Sequence, residues 1–153
     1  MESLKTVAEF LTVLACGGFA GAAVYVSLVE HPARMACGGE VAITQFAPSY
    51  RRAAVMQAFL AIAGFLGSVV AWLVGANVWW LVGGLLLVLV VPFTLLVIMP
   101  TNKALLDPSL DKQSERARNL LSRWGKLHAV RSLVSTVALV LFVYLLTVSG
   151  GVP

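Results

Sequence analysis

The sequence predicts an all-α integral membrane four-helix bundle, with its fourth helix extended into the cytoplasm. Two observations carry this. Of 153 residues, 59% are hydrophobic and only 12% are charged, against about 25% charged in soluble domains. Such a chain has too little polar surface to cover a water-soluble globule. The apolar residues also fall into four stretches, each near the roughly 20 residues that a bilayer requires. They predict a single four-span transmembrane domain over residues 1–153.

The first stretch is 7–29. Lys5 before an apolar run, and "VLAC" at 13–16, resemble a signal sequence and its cleavage site. The apolar run continues from Gly17 to Val29, past the point where a signal sequence stops, so it is read as a retained span. The second stretch is 53–75 and the third 78–99. Only Asn77 and its neighbours separate them, which predicts a tight antiparallel hairpin. The fourth is 129–148. "SERARNLLSRWGKLHAVRSLV" before and into it keeps helical periodicity. The fourth helix is therefore expected to start near Ser109 or Asp111, capped by one of them. "EVAITQF" at 40–46 is expected to form one or two turns of interfacial helix.

Small residues permit close helix approach in lipid, where there is little hydrophobic drive for association. Gly17, Gly18 and Gly21 mark the first span, Gly64 and Gly67 the second, Gly83 and Gly84 the third. Pro92 is expected to kink or end the third span. Packing within the monomer is the expected use of these glycines, with a homodimer as the other possibility. Cys16 lies roughly 20 Å from its own span's end. A disulfide with Cys37 needs Cα atoms within about 7 Å, so no bridge is expected.

Four spans put the two long connections, 30–52 and 100–128, on one side of the membrane. That side, counted with Arg131, carries ten of the eleven Lys and Arg residues, and the other carries Lys5 alone. By the positive-inside rule the connections are cytoplasmic and both termini lie outside. The net charge of +4 is then a matter of topology. It implies the lipid bilayer as partner and no nucleic acid.

The strongly polar residues gather at that same end. Glu30, His31 and Arg34 close the first span. Tyr50, Arg51 and Arg52 open the second, with Gln57 further in, and Asn102 follows the third. Trp124, His128 and Arg131 open the fourth at spacing i, i+4, i+7 and share one helix face. Arginines and aromatics at a membrane edge ordinarily anchor a helix. Gln57 and Arg131 fall within or at the edge of spans, where polar groups face the interior. Polar groups brought by four helices to one depth predict a pocket.

"EHPAR" (30–34), "FAPSYRRAAVMQ" (46–57), "MPTNKALL" (99–106) and "WGKLHAVR" (124–131), in that order after matching spans, resemble the anthrone oxygenase-like family of small four-span membrane proteins. The resemblance covers nearly the whole chain. It implies a cofactor-independent oxygenase that turns a small, planar phenolic or quinone-type substrate into a quinone with dioxygen. Such chemistry needs a base, for which histidine is the natural choice near neutral pH. His31 is the first candidate and His128 the second, with Glu30 orienting a histidine. Arg34 or Arg131 would stabilise the enolate, and Asn102 and Gln57 would act as neutral donors. Trp124 and Tyr50 would stack on the substrate. Rival expectations are a haem or metal held by the two histidines and a non-catalytic lipid-binding or assembly subunit. No internal repeat and no ionisable residue near mid-span suggest a transporter; Glu9 sits near the outer end of the first helix.

Overall fold

The computed structural model describes residues 1–149. Among them four helices are long and apolar enough to cross a bilayer, as expected of a multi-pass membrane protein. They are α1 (Glu2–Ala36), α2 (Gly39–Leu73), α3 (Trp79–Leu105) and α4 (Glu115–Ser149). Helices suit this chain because hydrocarbon offers no partner to a free backbone N–H or C=O. The bundle is closed by α1 packing on α2 and α4, and α3 packing on α2 and α4.

The first connection is shorter than expected. Residues 40–52 form the first turns of the 35-residue α2, not an isolated interfacial turn, and Pro48 sits inside that helix. Gly38, at φ +90°, makes the reversal from α1. The α2–α3 turn is the expected tight hairpin. Gly75 adopts φ +101°, and the Gly75 and Ala76 N–H groups return to the Trp72 and Ala71 carbonyls. This closes α2 by a Schellman pattern. The start of α4 departs from expectation. Asp107 Oδ1 accepts from the Ser109 N–H and hydroxyl, and Asp111 Oδ1 accepts from the Gln113 N–H. Those side chains are spent on turns, so neither Ser109 nor Asp111 caps the helix. Ser114 does, its Oγ accepting from the Ala117 N–H at 3.2 Å.

Two prolines shape the interior. Pro32 and Pro100 lack the N–H that the carbonyl four residues back requires. The chain answers identically in both places. Val26–Glu30 and Thr94–Ile98 widen into π-helix. The His31 N–H reaches back to Val26 O, and the Met99 N–H to Thr94 O. One extra residue in a turn rotates everything after it by about 100°. The buried stripe records this shift. On α1 it runs Thr12, Phe19, Val26, Arg34, and on α3 Gly83, Val90, Ile98, Leu105. The spacing of seven becomes eight across each π segment. Without the shift Ala33 would face inward; it is exposed, and Arg34 is buried instead.

The membrane half of the core is closely packed. Trp80 stacks on Phe142 at 5.3 Å between ring centroids. A Cβ on Gly83 would lie 2.6 Å from the Phe142 ring, and one on Gly64 would lie 2.6 Å from Leu87. Of the GxxxG pair, Gly17 makes an ordinary contact with Leu139, and Gly21 meets nothing within 4 Å. Cys16 is buried and Cys37 exposed, and both are free. Gly83→Leu should therefore lower stability by about 1–3 kcal/mol, seen as a lower Tm in detergent. Gly21→Leu should stay within about 0.5 kcal/mol of wild type. Equal losses from both would contradict this packing.

Candidate functional site: a polar cleft at the connection end

The π segments deliver Arg34 from α1 and Asn102 from α3 to one narrow cleft. Helix α2 adds Phe46, Ser49, Tyr50 and Gln57, and α4 adds Trp124, His128 and Arg131. Seven of the nine expected site residues thus line one space. Glu30 and His31 stand behind it.

Trp124 is the packing centre. His128 lies nearly parallel to its ring at 4.7 Å, Phe46 meets it edge-on at 5.2 Å, and His31 is tilted against it at 5.3 Å. Tyr50 stacks on Phe46 at 5.6 Å. The Arg34 guanidinium sits 5.6 Å from the Trp124 ring and 5.7 Å from Phe46. Trp124 therefore spends much of its ring on the protein's own groups.

Glu30 holds Arg34 rather than a histidine. Its Oε1 accepts from Arg34 at 2.5 Å, from Ser49 Oγ at 2.5 Å and from Gln45 Nε2 at 2.8 Å. Arg34 is almost fully buried, where an unpaired charge is costly.

His128 is fixed from behind by a chain of hydroxyls. Its Nδ1 is 2.9 Å from Ser27 Oγ, which is 2.8 Å from Ser132 Oγ, which is 2.9 Å from the Ala23 carbonyl. Ser132 Oγ also lies 3.3 Å from the His128 carbonyl; a carbonyl can only accept, so Ser132 donates to one of these two. Ser27 must then donate to Ser132, and His128 Nδ1–H must donate to Ser27. No other direction puts a hydrogen in all three contacts. In the neutral ring, Nε2 is left with the lone pair.

Arg131 donates to Gln57 Oε1 at 2.7 Å, and its guanidinium lies 5.5 Å from the Phe19 ring. Asn102 is fully buried, and neither its Oδ1 nor its Nδ2 has a partner in the protein. The Nε atoms of Arg34 and Arg131 are likewise buried and unpartnered. Buried polar groups are nearly always paired. Three residues lining the cleft thus carry donors without a partner, which suits an oxygen-bearing ligand.

His31 is half-buried and turned to the backbone of α4. A Cβ at Gly125 would collide with its imidazole, so Gly125 is what lets α4 pass so close. Among the described residues no group of three or more His, Cys, Asp and Glu side chains is placed to hold a metal ion. Ser27, Ser132, Ser49, Gln45 and Phe46 are not among the site residues that the sequence singles out. Ser132 shares a helix face with His128 at i+4 and could have been found; Ser27 is one hydroxyl in an apolar run.

Glu30→Ala should cost about 3 kcal/mol by stranding Arg34, measured by thermal unfolding in detergent. Adding Arg34→Met should recover most of that loss. If the double variant is no more stable than the single one, the stranded charge is not its source.

Comparison with curated proteins and with solved structures gives no match. The family model described as anthrone oxygenase matches residues 46–141. That segment carries every cleft residue named above except Arg34. It spans more than half of the chain, and the protein belongs to the anthrone oxygenase family.

Proposed function

We propose that this protein oxidises a planar phenolic substrate of the anthrone type with dioxygen, at the cleft between Arg34, Asn102, His128 and Arg131. The observation that carries this is the hydroxyl chain behind His128. It orients the ring of a histidine in a mostly buried site where neighbouring lining residues carry unpartnered donors. His128 is accordingly the base in preference to His31, which does not line the cleft.

An anthrone has an acidic C–H between two aromatic rings. His128 Nε2 takes that proton, and the negative charge spreads to the phenolate-like oxygen. Arg34, Arg131 and Asn102 Nδ2 supply positive charge and N–H groups to that oxygen in a water-poor site, where they act most strongly. The carbanion reduces dioxygen through one electron and then radical recombination, forming a C–O bond. The resulting hydroperoxide loses water and leaves the ketone. One dioxygen is consumed, one oxygen atom stays in the quinone and the other leaves as water. The electrons come from the substrate, so the protein supplies a base, an oxyanion partner and an apolar enclosure. The cleft opens at the end rich in Lys and Arg, and the positive-inside rule supports a cytoplasmic opening as part of this reading.

Dioxygen uptake with 1,8-dihydroxyanthrone, in vesicles with and without the protein, tests this. His128→Ala should lower the protein-dependent rate at least about 100-fold. Ser27→Ala should lower it about 10- to 100-fold through loss of ring orientation, with Ser27→Thr restoring much of it. His31→Ala should leave most of the rate. A rate that survives His128→Ala, or that never exceeds the protein-free control, would overturn the proposal.

A further inference from the structure

A second, roomier cavity of about 180 Å³ lies against the first and shares Tyr50, Ala54, Gln57 and Arg131 with it. Its chemistry differs. Away from the shared wall it is bounded mainly by apolar side chains, among them Phe19, Val90 and Leu95. Its other polar group, Thr94, spends its hydroxyl on the Val90 carbonyl at 2.6 Å. Ala58 and Leu95 also line it and are exposed on the outer face of the bundle. It therefore opens sideways between α2 and α3, where a bilayer would lie. The second π segment runs along its edge, since Thr94 and Leu95 belong to both.

The partition between the two cavities is thin. It consists of the Arg131–Gln57 hydrogen bond and the Tyr50 ring, whose hydroxyl reaches only the Met99 sulfur at 4.0 Å. Arg131 keeps a buried Nε without a partner beside this wall. A polar cleft joined to an apolar pocket through one arginine matches a ligand with the same asymmetry. We infer that the two cavities are one binding site for an elongated phenol, with the hydroxylated ring in the polar cleft and an apolar extension in the α2–α3 pocket. The inference rests on the cleft being a substrate site, and it sets the substrate class. A compact, fully polar phenol would leave the larger compartment unused. The occupant is part of the same ligand, because apart from Thr94, whose hydroxyl is bonded within its own helix, the pocket's polar side chains lie on the wall it shares with the cleft.

Resorcinol and 5-hexylresorcinol separate the two compartments. They carry the same hydroxylated ring, and only the second has an extension. Saturable quenching of tryptophan fluorescence in protein-containing vesicles, corrected with protein-free vesicles, measures binding without turnover. Wild type should bind 5-hexylresorcinol at least tenfold more tightly than resorcinol. Ala58→Phe fills the pocket from an exposed position and should remove that advantage. Its resorcinol affinity should stay within twofold, which also confirms that the variant is folded. An unchanged advantage in Ala58→Phe would overturn the inference, as would equal weakening of both ligands or no saturable 5-hexylresorcinol binding to wild type. Each of these results is independent of the dioxygen assay. Failure of the oxidation with the binding pattern intact removes only the reaction; loss of the pattern with oxidation intact removes only the second compartment.

Discussion

Two prolines inside apolar helices constrain everything at the polar end of this bundle. A helix in hydrocarbon must satisfy its backbone internally, and Pro32 and Pro100 each withdraw one donor. Widening to a π turn is the local remedy, and the His31 and Met99 N–H groups show it in place. The remedy has a second effect. It rotates Arg34 and Asn102 into the interior, at positions two residues after each proline. Helices α1 and α3 thus present the same device from non-adjacent positions around the bundle. One brings a cation and the other an amide to the same cleft.

Once a guanidinium is turned inward, the surroundings must hold it. Glu30 lies one turn back on α1, and α2 supplies Ser49 and Gln45 to the same carboxylate oxygen. Phe46 and Trp124 offer their rings to the cation. Trp124 then fixes the His128 ring by stacking, while the Ser27–Ser132–Ala23 chain fixes its rotation and its proton. Placement of the base and placement of the cation are therefore coupled through one indole. Gly125 allows the tight approach of α4 that this needs, since any side chain there would meet His31.

Much of this was legible in the sequence. The four spans follow from length and hydropathy alone, and the depth shared by Arg34, Gln57, Asn102, His128 and Arg131 follows from where each span ends. The finer pairings were not legible. Glu30 and Arg34 are four residues apart and could be read as a pair, but nothing local says that Ser49 and Gln45 complete it. Ser27 meets His128 across 101 positions of sequence, through a crossing of α1 and α4 that periodicity does not specify. The late start of α4 is hidden because Ser109 and Asp111 both look like caps, while Asp107 and Asp111 turn the loop instead. The π segments did leave a trace: in both helices a proline closely follows an apolar run, with a polar residue two positions on.

The most direct test of the account is the tautomer of His128. Nitrogen NMR on protein with ¹⁵N-labelled imidazoles, assigned with a His31→Ala variant, distinguishes a protonated ring nitrogen from one bearing a lone pair. The account predicts a neutral His128 protonated at Nδ1, with Nε2 bare, and loss of that preference in Ser27→Ala. A neutral ring protonated at Nε2 would contradict it, because the lone pair would then point to Ser27 and away from any substrate.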